Sequence, residues 1–207
     1  MAKKFIFILG GARSGKSKFA QDLAKSLGEK VLFVATGAPL DEEMTLRIEA
    51  HKRSRPKSWR TLEISVNVGQ SLPRESGDAE VVLLDCLTLL VSNVILKPLN
   101  FGSSEGEVED NYICSLKASP SRHGERSEAI SEAETQVMTE LKELLECIDK
   151  YEGTFIVVSN EVGLGLVPEN KLGRVYRDLL GRANQLLAQR ADEVYFMAAG
   201  IPLKIKG

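Results

Sequence analysis

An α/β fold with a mainly parallel sheet flanked by helices is what this 207-residue sequence predicts. Three observations carry the prediction. Short apolar runs alternate with longer segments of helical period, which is the pattern of strands joined by crossover helices. The runs are apolar at successive positions, as strands buried on both faces must be. A glycine-rich loop also separates the first run from the first helical segment. At roughly 100–200 residues per domain, the length suits one domain over residues 1–207.

Taken in order, Phe5–Leu9 is the first strand. Ala2-Lys3-Lys4 ahead of it gives the outline of a signal peptide, but the apolar run is only five residues and leads straight into Gly10-Gly11-Ala12-Arg13. A buried strand is therefore expected. Ser17–Leu27 reads as a helix closed by Gly28, and Val31–Ala35 as a second strand. Asp41–Ser54 reads as a helix with Asp41 as its N-cap and Glu42 and Glu43 in the first turn, where they suit the helix dipole. Pro56 stops it. Arg60–Ile64 is a weaker strand and Val81–Asp85 a strong one, with a helix over Cys86–Leu96. Asp85, Thr88, Ser92 and Asn93 interrupt this longest apolar stretch, which falls short of the ~20 residues a spanning helix needs.

The segment Asn100–Ser127 is rich in Ser, Gly and Glu and sustains neither period, so it is read as an irregular surface insertion. From Ile130, the positions Val137, Met138, Leu141, Leu144, Leu145 and Ile148 recur at helical spacing. From Pro168, Leu172, Val175, Leu179, Leu180, Ala183, Leu186 and Leu187 do the same. The opposite face of this second helix carries Arg174, Arg177, Asp178 and Arg182. Two roles stand open for it: a solvated face with an Arg174–Asp178 pair, or a contact to substrate phosphate. Phe155–Ser159 and Val194–Ala198 complete the strands, and Leu203–Ile205 is expected to form a terminal edge strand.

Composition removes several classes of function. Lys and Arg number 27 against 29 Asp and Glu, a net charge of −2. That is not the basic excess of a nucleic-acid or anionic-membrane binder. Cys86, Cys114 and Cys147 are too scattered for a zinc site and odd in number for a disulfide framework, a usage that suits the cytoplasm.

Gly10-Gly11-Ala12-Arg13-Ser14-Gly15-Lys16-Ser17 satisfies G-x-x-x-x-G-K-[ST], preceded by a strand and followed by a helix. The glycines let backbone N–H groups converge on phosphate oxygens, and the helix points its positive end at the same anion. Lys16 is expected to reach the β and γ phosphates and Ser17 to ligate Mg²⁺. The fold class becomes a P-loop NTPase (RecA-like) domain. Such a site needs an acidic partner for the metal, and Asp85 at the end of its strand is the natural one. Its other available role is to cap the following helix.

His123 lies within the polar insertion, where an ordinary loop residue is expected. His51 shares a helical face with Met44 and Ile48 and stands four residues after Arg47. Taken alone, such an imidazole is more commonly packed or hydrogen-bonded than catalytic. Lys52, Arg53 and Arg55 alter the balance, because they gather positive charge where a polyphosphate can lie.

At this point the sequence resembles the bifunctional adenosylcobinamide kinase/adenosylcobinamide-phosphate guanylyltransferase family of cobalamin biosynthesis. Besides the phosphate loop, the matching stretches are Ala35-Thr36, Asp41-Glu42-Glu43-Met44, Arg47-Ile48-Glu49-Ala50-His51-Lys52, Arg55-Pro56 and Trp59-Arg60-Thr61-Leu62-Glu63. The series continues through Asn160-Glu161-Val162-Gly163-Leu164-Gly165-Leu166-Val167-Pro168-Glu169-Asn170, Arg177-Asp178, Gly181-Arg182 and Asn184-Gln185. The segment around Asn100–Ser127 departs from the family pattern in length and composition.

The resemblance implies two activities with ATP and GTP as substrates: phosphorylation of adenosylcobinamide by a nucleoside triphosphate, then transfer of GMP from GTP to adenosylcobinamide phosphate. It implies a GMP–histidine intermediate at His51 and a guanine-nucleotide site lined by Lys52, Arg53, Ser54, Arg55, Glu63 and Asp85, with Ala35, Thr36 and Gly37 nearby. It also implies a homo-oligomer, a trimer. Two rivals remain at this stage: a monofunctional small-molecule kinase with a structural His51, and a non-enzymatic nucleotide switch.

Overall fold

The computed structural model describes residues 3–38, 42–96 and 123–207. Its seven strands are β1 (Lys4–Gly10), β2 (Val31–Ala35), β3 (Arg60–Glu63), β4 (Val81–Asp85), β5 (Thr154–Asn160), β6 (Glu193–Ala198) and β7 (Ile201–Lys206). The helices are α1 (Lys16–Leu27), α2 (Glu42–Ser54), α3 (Val68–Glu75), α4 (Leu87–Leu96), α5 (His123–Lys150) and α6 (Lys171–Arg190). The strands form one sheet in the order β3-β2-β4-β5-β1-β6-β7. Every pairing is parallel except the terminal β6–β7 pair. This is the mainly parallel α/β sheet that the alternating segments predict. One strand, β5, separates the phosphate-loop strand β1 from the Asp85 strand β4, which is the RecA-like arrangement.

Strand alternation divides the core into two layers. Ile6 and Ile8 of β1, Phe33 of β2, Leu83 of β4 and Ile156 and Val158 of β5 pack with Ala20 and Ala24 of α1. Phe5 and Phe7, Leu84, Phe155 and Val157 face the other way, into a larger cluster with α3, α4, α5 and α6. The central strands are buried on both sides. The edge strand β3 is largely exposed, which explains its weaker sequence signal. Among the described residues, no helix is long and apolar enough to cross a membrane.

Several expectations need correction. Residues 100–122 of the expected insertion lie outside the described residues, as does Asp41, the expected cap of α2. Residues 123–127, however, belong to α5, and His123 opens that helix instead of sitting in a loop. The stretch His123-Gly124-Glu125-Arg126-Ser127 holds no apolar side chain, so the sequence shows no period there. Met138 is 41% exposed, and the buried stripe of α5 runs through Ala133, Val137, Leu141, Leu144 and Ile148. The last long helix begins at Lys171, not at Pro168, because the Asn170 side chain caps it by accepting from Gly173 N at 2.6 Å. The Arg174–Asp178 ion pair is absent among the described residues. Arg174 instead donates to the carbonyls of Pro168 and Glu169.

Helix α3 is missing from the sequence reading altogether, and its support comes from elsewhere in the chain. Asn67, at φ 56°, provides no side-chain cap. The buried carboxylate of Glu140 on α5 does so instead, accepting from Asn67 N at 2.7 Å and Val68 N at 2.8 Å. The two helices approach closely at Gly69, where a Cβ would lie 2.4 Å from the carbonyl carbon of Glu143. Because the obstacle is backbone, Gly69→Ala is expected to cost about 1–3 kcal/mol through overpacking. Thermal unfolding should show a Tm lowered by about 2–4 °C for each kcal/mol lost.

Candidate functional site

The loop after β1 is shaped by contacts that exclude side chains. Gly10 has φ 156°, and a Cβ there would lie 2.6 Å from Met197 O and 2.7 Å from Ser14 Oγ. Gly15 has φ 92° and stands at the N-cap of α1 without any side-chain cap. The first N–H groups of α1 are thereby left for an anion. Arg13 adopts the left-handed region at φ 56°. Neighbouring backbone holds the loop: Glu161 N donates to Gly10 O at 3.0 Å and Gly200 N to Ser14 O at 3.0 Å.

Lys16, the first residue of α1, is buried, and its ammonium folds back to donate to Gly11 O at 2.5 Å. Burial lowers its pKa, opposed by the nearby carboxylate of Asp85. Asp85 ends β4 in register with Val158 of β5 and shares the α1 side of the sheet with Leu83 and Val81. Burial raises its pKa, while a hydrogen bond from Ser17 and the charges of His51, Arg55 and Lys16 oppose the rise. Its Oδ2 is buried without a hydrogen-bond partner among the described residues. A hydroxyl and an unsatisfied carboxylate oxygen are hard donors suited to Mg²⁺, which takes one or two protein oxygens and completes its shell with water and phosphate. Consistent with that economy, no cluster of three or more His, Cys, Asp or Glu occurs among the described residues.

The last turn of α2 carries His51, Lys52 and Arg53 at the helix end that favours cations. His51 is exposed, which removes the packed role weighed for it, and its charge reaches Asp85. Lys52 pairs with Glu63 at the end of β3, 2.6 Å apart. Arg55 lies over the Phe33 ring, 3.9 Å from its centroid. Burial lowers its pKa against the pull of Asp85 and Glu63, and its Nε is buried without a partner.

Three expected contacts are placed differently from a direct nucleotide ligand. Ala35 is buried within β2. Thr36 is fully buried, its hydroxyl donating to Cys86 O at 2.7 Å and accepting from Cys86 N at 2.9 Å. It therefore fixes the turn that carries Asp85. Gly37 admits Ile48 of α2, which would lie 3.2 Å from an added Cβ. Cys86 itself is pushed up to about 12 by burial and by Asp85. The side chain of Ser54 lies outside the described set.

The sequence reading missed a buried polar network behind the loop. Ser159 Oγ donates to Asn184 Oδ1 at 2.7 Å and lies 3.5 Å from Thr88 Oγ1. Thr88 Oγ1 accepts from Asn160 N at 2.7 Å, and Asn184 Nδ2 donates to Asn160 O at 3.1 Å. Thr88 had left a trace, as a polar interruption of an apolar helix. The arginine face of α6 is only partly solvated, since Arg177 donates to Gly163 O at 2.8 Å.

Residues 6–205 match the family described as cobinamide kinase / cobinamide phosphate guanyltransferase. The chain belongs to that family. It is 36% identical to the bifunctional adenosylcobalamin biosynthesis protein CobU of Escherichia coli (strain K12), covering 97% of this chain and 99% of the relative. It is 38% identical to the bifunctional adenosylcobalamin biosynthesis protein CobP of Pseudomonas aeruginosa, with coverages of 97% and 96%. A solved protein of Pyrococcus horikoshii OT3 shares the fold at TM-score 0.50 and 9% identity, covering 100% of this chain and 87% of that one.

For this member of the cobinamide kinase / cobinamide phosphate guanyltransferase family, the burial of Asp85 has a cost in stability. Its folded pKa is raised, so the fold favours the protonated form. The destabilisation is complete above the folded pKa and disappears as pH falls through the unfolded value near about 3.9. Asp85→Asn removes the charge and is expected to raise the Tm of the ligand-free protein at pH 7 by about 2–4 °C per kcal/mol relieved. The same variant should lose Mg²⁺-dependent turnover, and calorimetric melting with a turnover assay checks both.

Proposed function

We propose that this chain phosphorylates adenosylcobinamide and then transfers GMP from GTP to the product through a guanylylated His51. The observation that carries the reading is convergence on Asp85: the Ser17 hydroxyl binds it, and the charges of Lys16, His51 and Arg55 all reach it. Phosphate-loop residues and the histidine therefore serve one crevice at the C-terminal edge of the sheet.

In the first reaction, the substrate hydroxyl oxygen attacks the γ-phosphorus and gives its proton to solvent water, the bond to the bridging oxygen breaks, and the nucleoside diphosphate leaves with that electron pair. Lys16 swings from Gly11 O to bridge the β and γ phosphates, while backbone N–H groups of Gly11, Ala12, Arg13, Ser14 and Gly15 hold the oxygens. In the second, a neutral imidazole nitrogen of His51 attacks the α-phosphorus of GTP, and pyrophosphate departs. A phosphate oxygen of adenosylcobinamide phosphate then attacks the same phosphorus. The N–P bond breaks, His51 is restored, and adenosylcobinamide-GDP is formed. Ser17 and Asp85 would hold Mg²⁺, which neutralises charge on the departing phosphates.

Lys52, Arg53, Ser54, Arg55 and Glu63 are assigned to the guanine-nucleotide side of the crevice. Ala35, Thr36 and Gly37 serve as its floor. The family resemblance supports one domain over residues 1–207, assembled as a homo-oligomer, a trimer, and working in the cytoplasm.

Incubation with α-labelled GTP and Mg²⁺ followed by intact-protein mass measurement tests the intermediate. Wild-type protein should gain an acid-labile, alkali-stable adduct. His51→Ala should lose the adduct and GMP transfer while retaining kinase turnover, and His123→Ala should change neither. Lys16→Ala should lower both reactions by roughly 10²–10³-fold, the scale of losing one charge-stabilising donor. Kinase turnover by wild-type protein without an adduct would select the monofunctional reading.

A further inference from the structure

Asn160 ends β5, the strand that lies between the phosphate-loop strand and the Asp85 strand. The connections from β1 and β5 leave in opposite directions. From β1 the chain passes along the α1 face toward β2, and from β5 it passes along the α6 face toward β6. The crevice outside the carboxyl ends of two such strands is the topological switch point where ligands of open α/β sheets bind. Gly10 and Asn160 are the register partners that flank it.

We propose that the Asn160 carboxamide contacts the terminal phosphate of the bound nucleotide and distinguishes triphosphate from diphosphate, with Thr88 and Asn184 as its positioning residues. The proposal rests on the reading that a nucleotide occupies the phosphate loop. Ile156 and Val158 pack on the α1 side of the sheet, and alternation brings Asn160 to that same side. Ser159, between them, turns to the opposite side, toward Thr88 and Asn184. Asp85 is level with Val158, so Asn160 stands about 6.6 Å further along the strand direction, over the crevice.

Placement favours the terminal phosphate over the inner ones. The N-terminus of α1 and the loop amides cradle the inner phosphates, and the P-loop lysine reaches outward to the β and γ groups. Here the Lys16 ammonium rests on Gly11 O, one residue beyond the register partner of Asn160. The carboxamide offers two N–H donors, and it makes no hydrogen bond among the described residues. Both backbone groups of Asn160 are by contrast taken by buried side chains. Thr88, Ser159 and Asn184 are 6%, 0% and 4% exposed. Apolar residues of similar shape would serve stability about equally well, whereas this polar network fixes the backbone position of one residue.

The test uses the full chain with Mg²⁺ and titration calorimetry of a non-hydrolysable GTP analogue and of GDP. Asn160→Ala is expected to weaken the triphosphate analogue by about ten-fold or more, the scale of a hydrogen bond to a charged group. GDP affinity should stay within about two-fold of wild type. Asn160→Asp should weaken the analogue further by placing a carboxylate against phosphate. Asn184→Ala should lower the triphosphate-to-diphosphate affinity ratio as Asn160→Ala does, whereas a merely structural Asn184 would lower the Tm and leave the ratio intact. An unchanged ratio in Asn160→Ala, or equal losses for both nucleotides, overturns the proposal while leaving the nucleotide reading in place. Wild-type protein that binds neither nucleotide overturns both.

Discussion

Asp85 presents a buried carboxylate oxygen that no donor satisfies among the described residues, at a point where Lys16 from α1 and His51 and Arg55 from the end of α2 bring positive charge. Burial works against the carboxylate, and the nearby cations offset part of that cost. The opposing effects meet at the C-terminal ends of β1, β4 and β5. This balance orders the crevice before any ligand arrives, and it leaves one oxygen for a group that comes from outside. Thr36 reinforces the arrangement by gripping both backbone atoms of Cys86, the residue after Asp85.

The sheet supplies the rigidity that this balance requires. β1 is flanked by β5 and β6 along its length, so the phosphate loop emerges from the interior of the sheet and not from an edge. Behind it, Met197 O and Gly200 limit what Gly10 and Gly15 can be. The other layer, from α3 to α6, has no direct role at the phosphate loop. It contributes through Thr88 and Asn184, which reach back to the end of β5. The two faces of the sheet thus divide the work into a reactive side and a side that sets position.

Legibility in the sequence followed the range of the interactions. The phosphate loop is readable because its pattern is carried by contiguous residues, Gly10 to Ser17, between an apolar run and a helical one. The central strands are readable because burial on both faces leaves continuous apolar runs. Helix α3 is not, since Gly69 and Pro73 argue against it locally while its cap comes from Glu140, about 70 residues away. Residues 123–127 hide their helical state because none of the five is apolar, so no period marks them. The Thr88–Ser159–Asn184 network joins three segments distant in sequence, so each member looks like an unremarkable polar residue. His51 lies between these cases: its basic neighbours were visible, but its approach to Asp85 depends on the tertiary placement of α2.

Cys86 stands next to the reactive carboxylate, yet its thiol is held near 12. Cys147 is likewise buried with its pKa raised by burial. Oxidation and alkylation of cysteine proceed through the thiolate, so both sulfurs are poor targets for peroxide or disulfide exchange. The cysteine nearest the reactive carboxylate is thus kept in its thiol form, and the charged groups that converge there are the carboxylate, ammonium, guanidinium and imidazole around it.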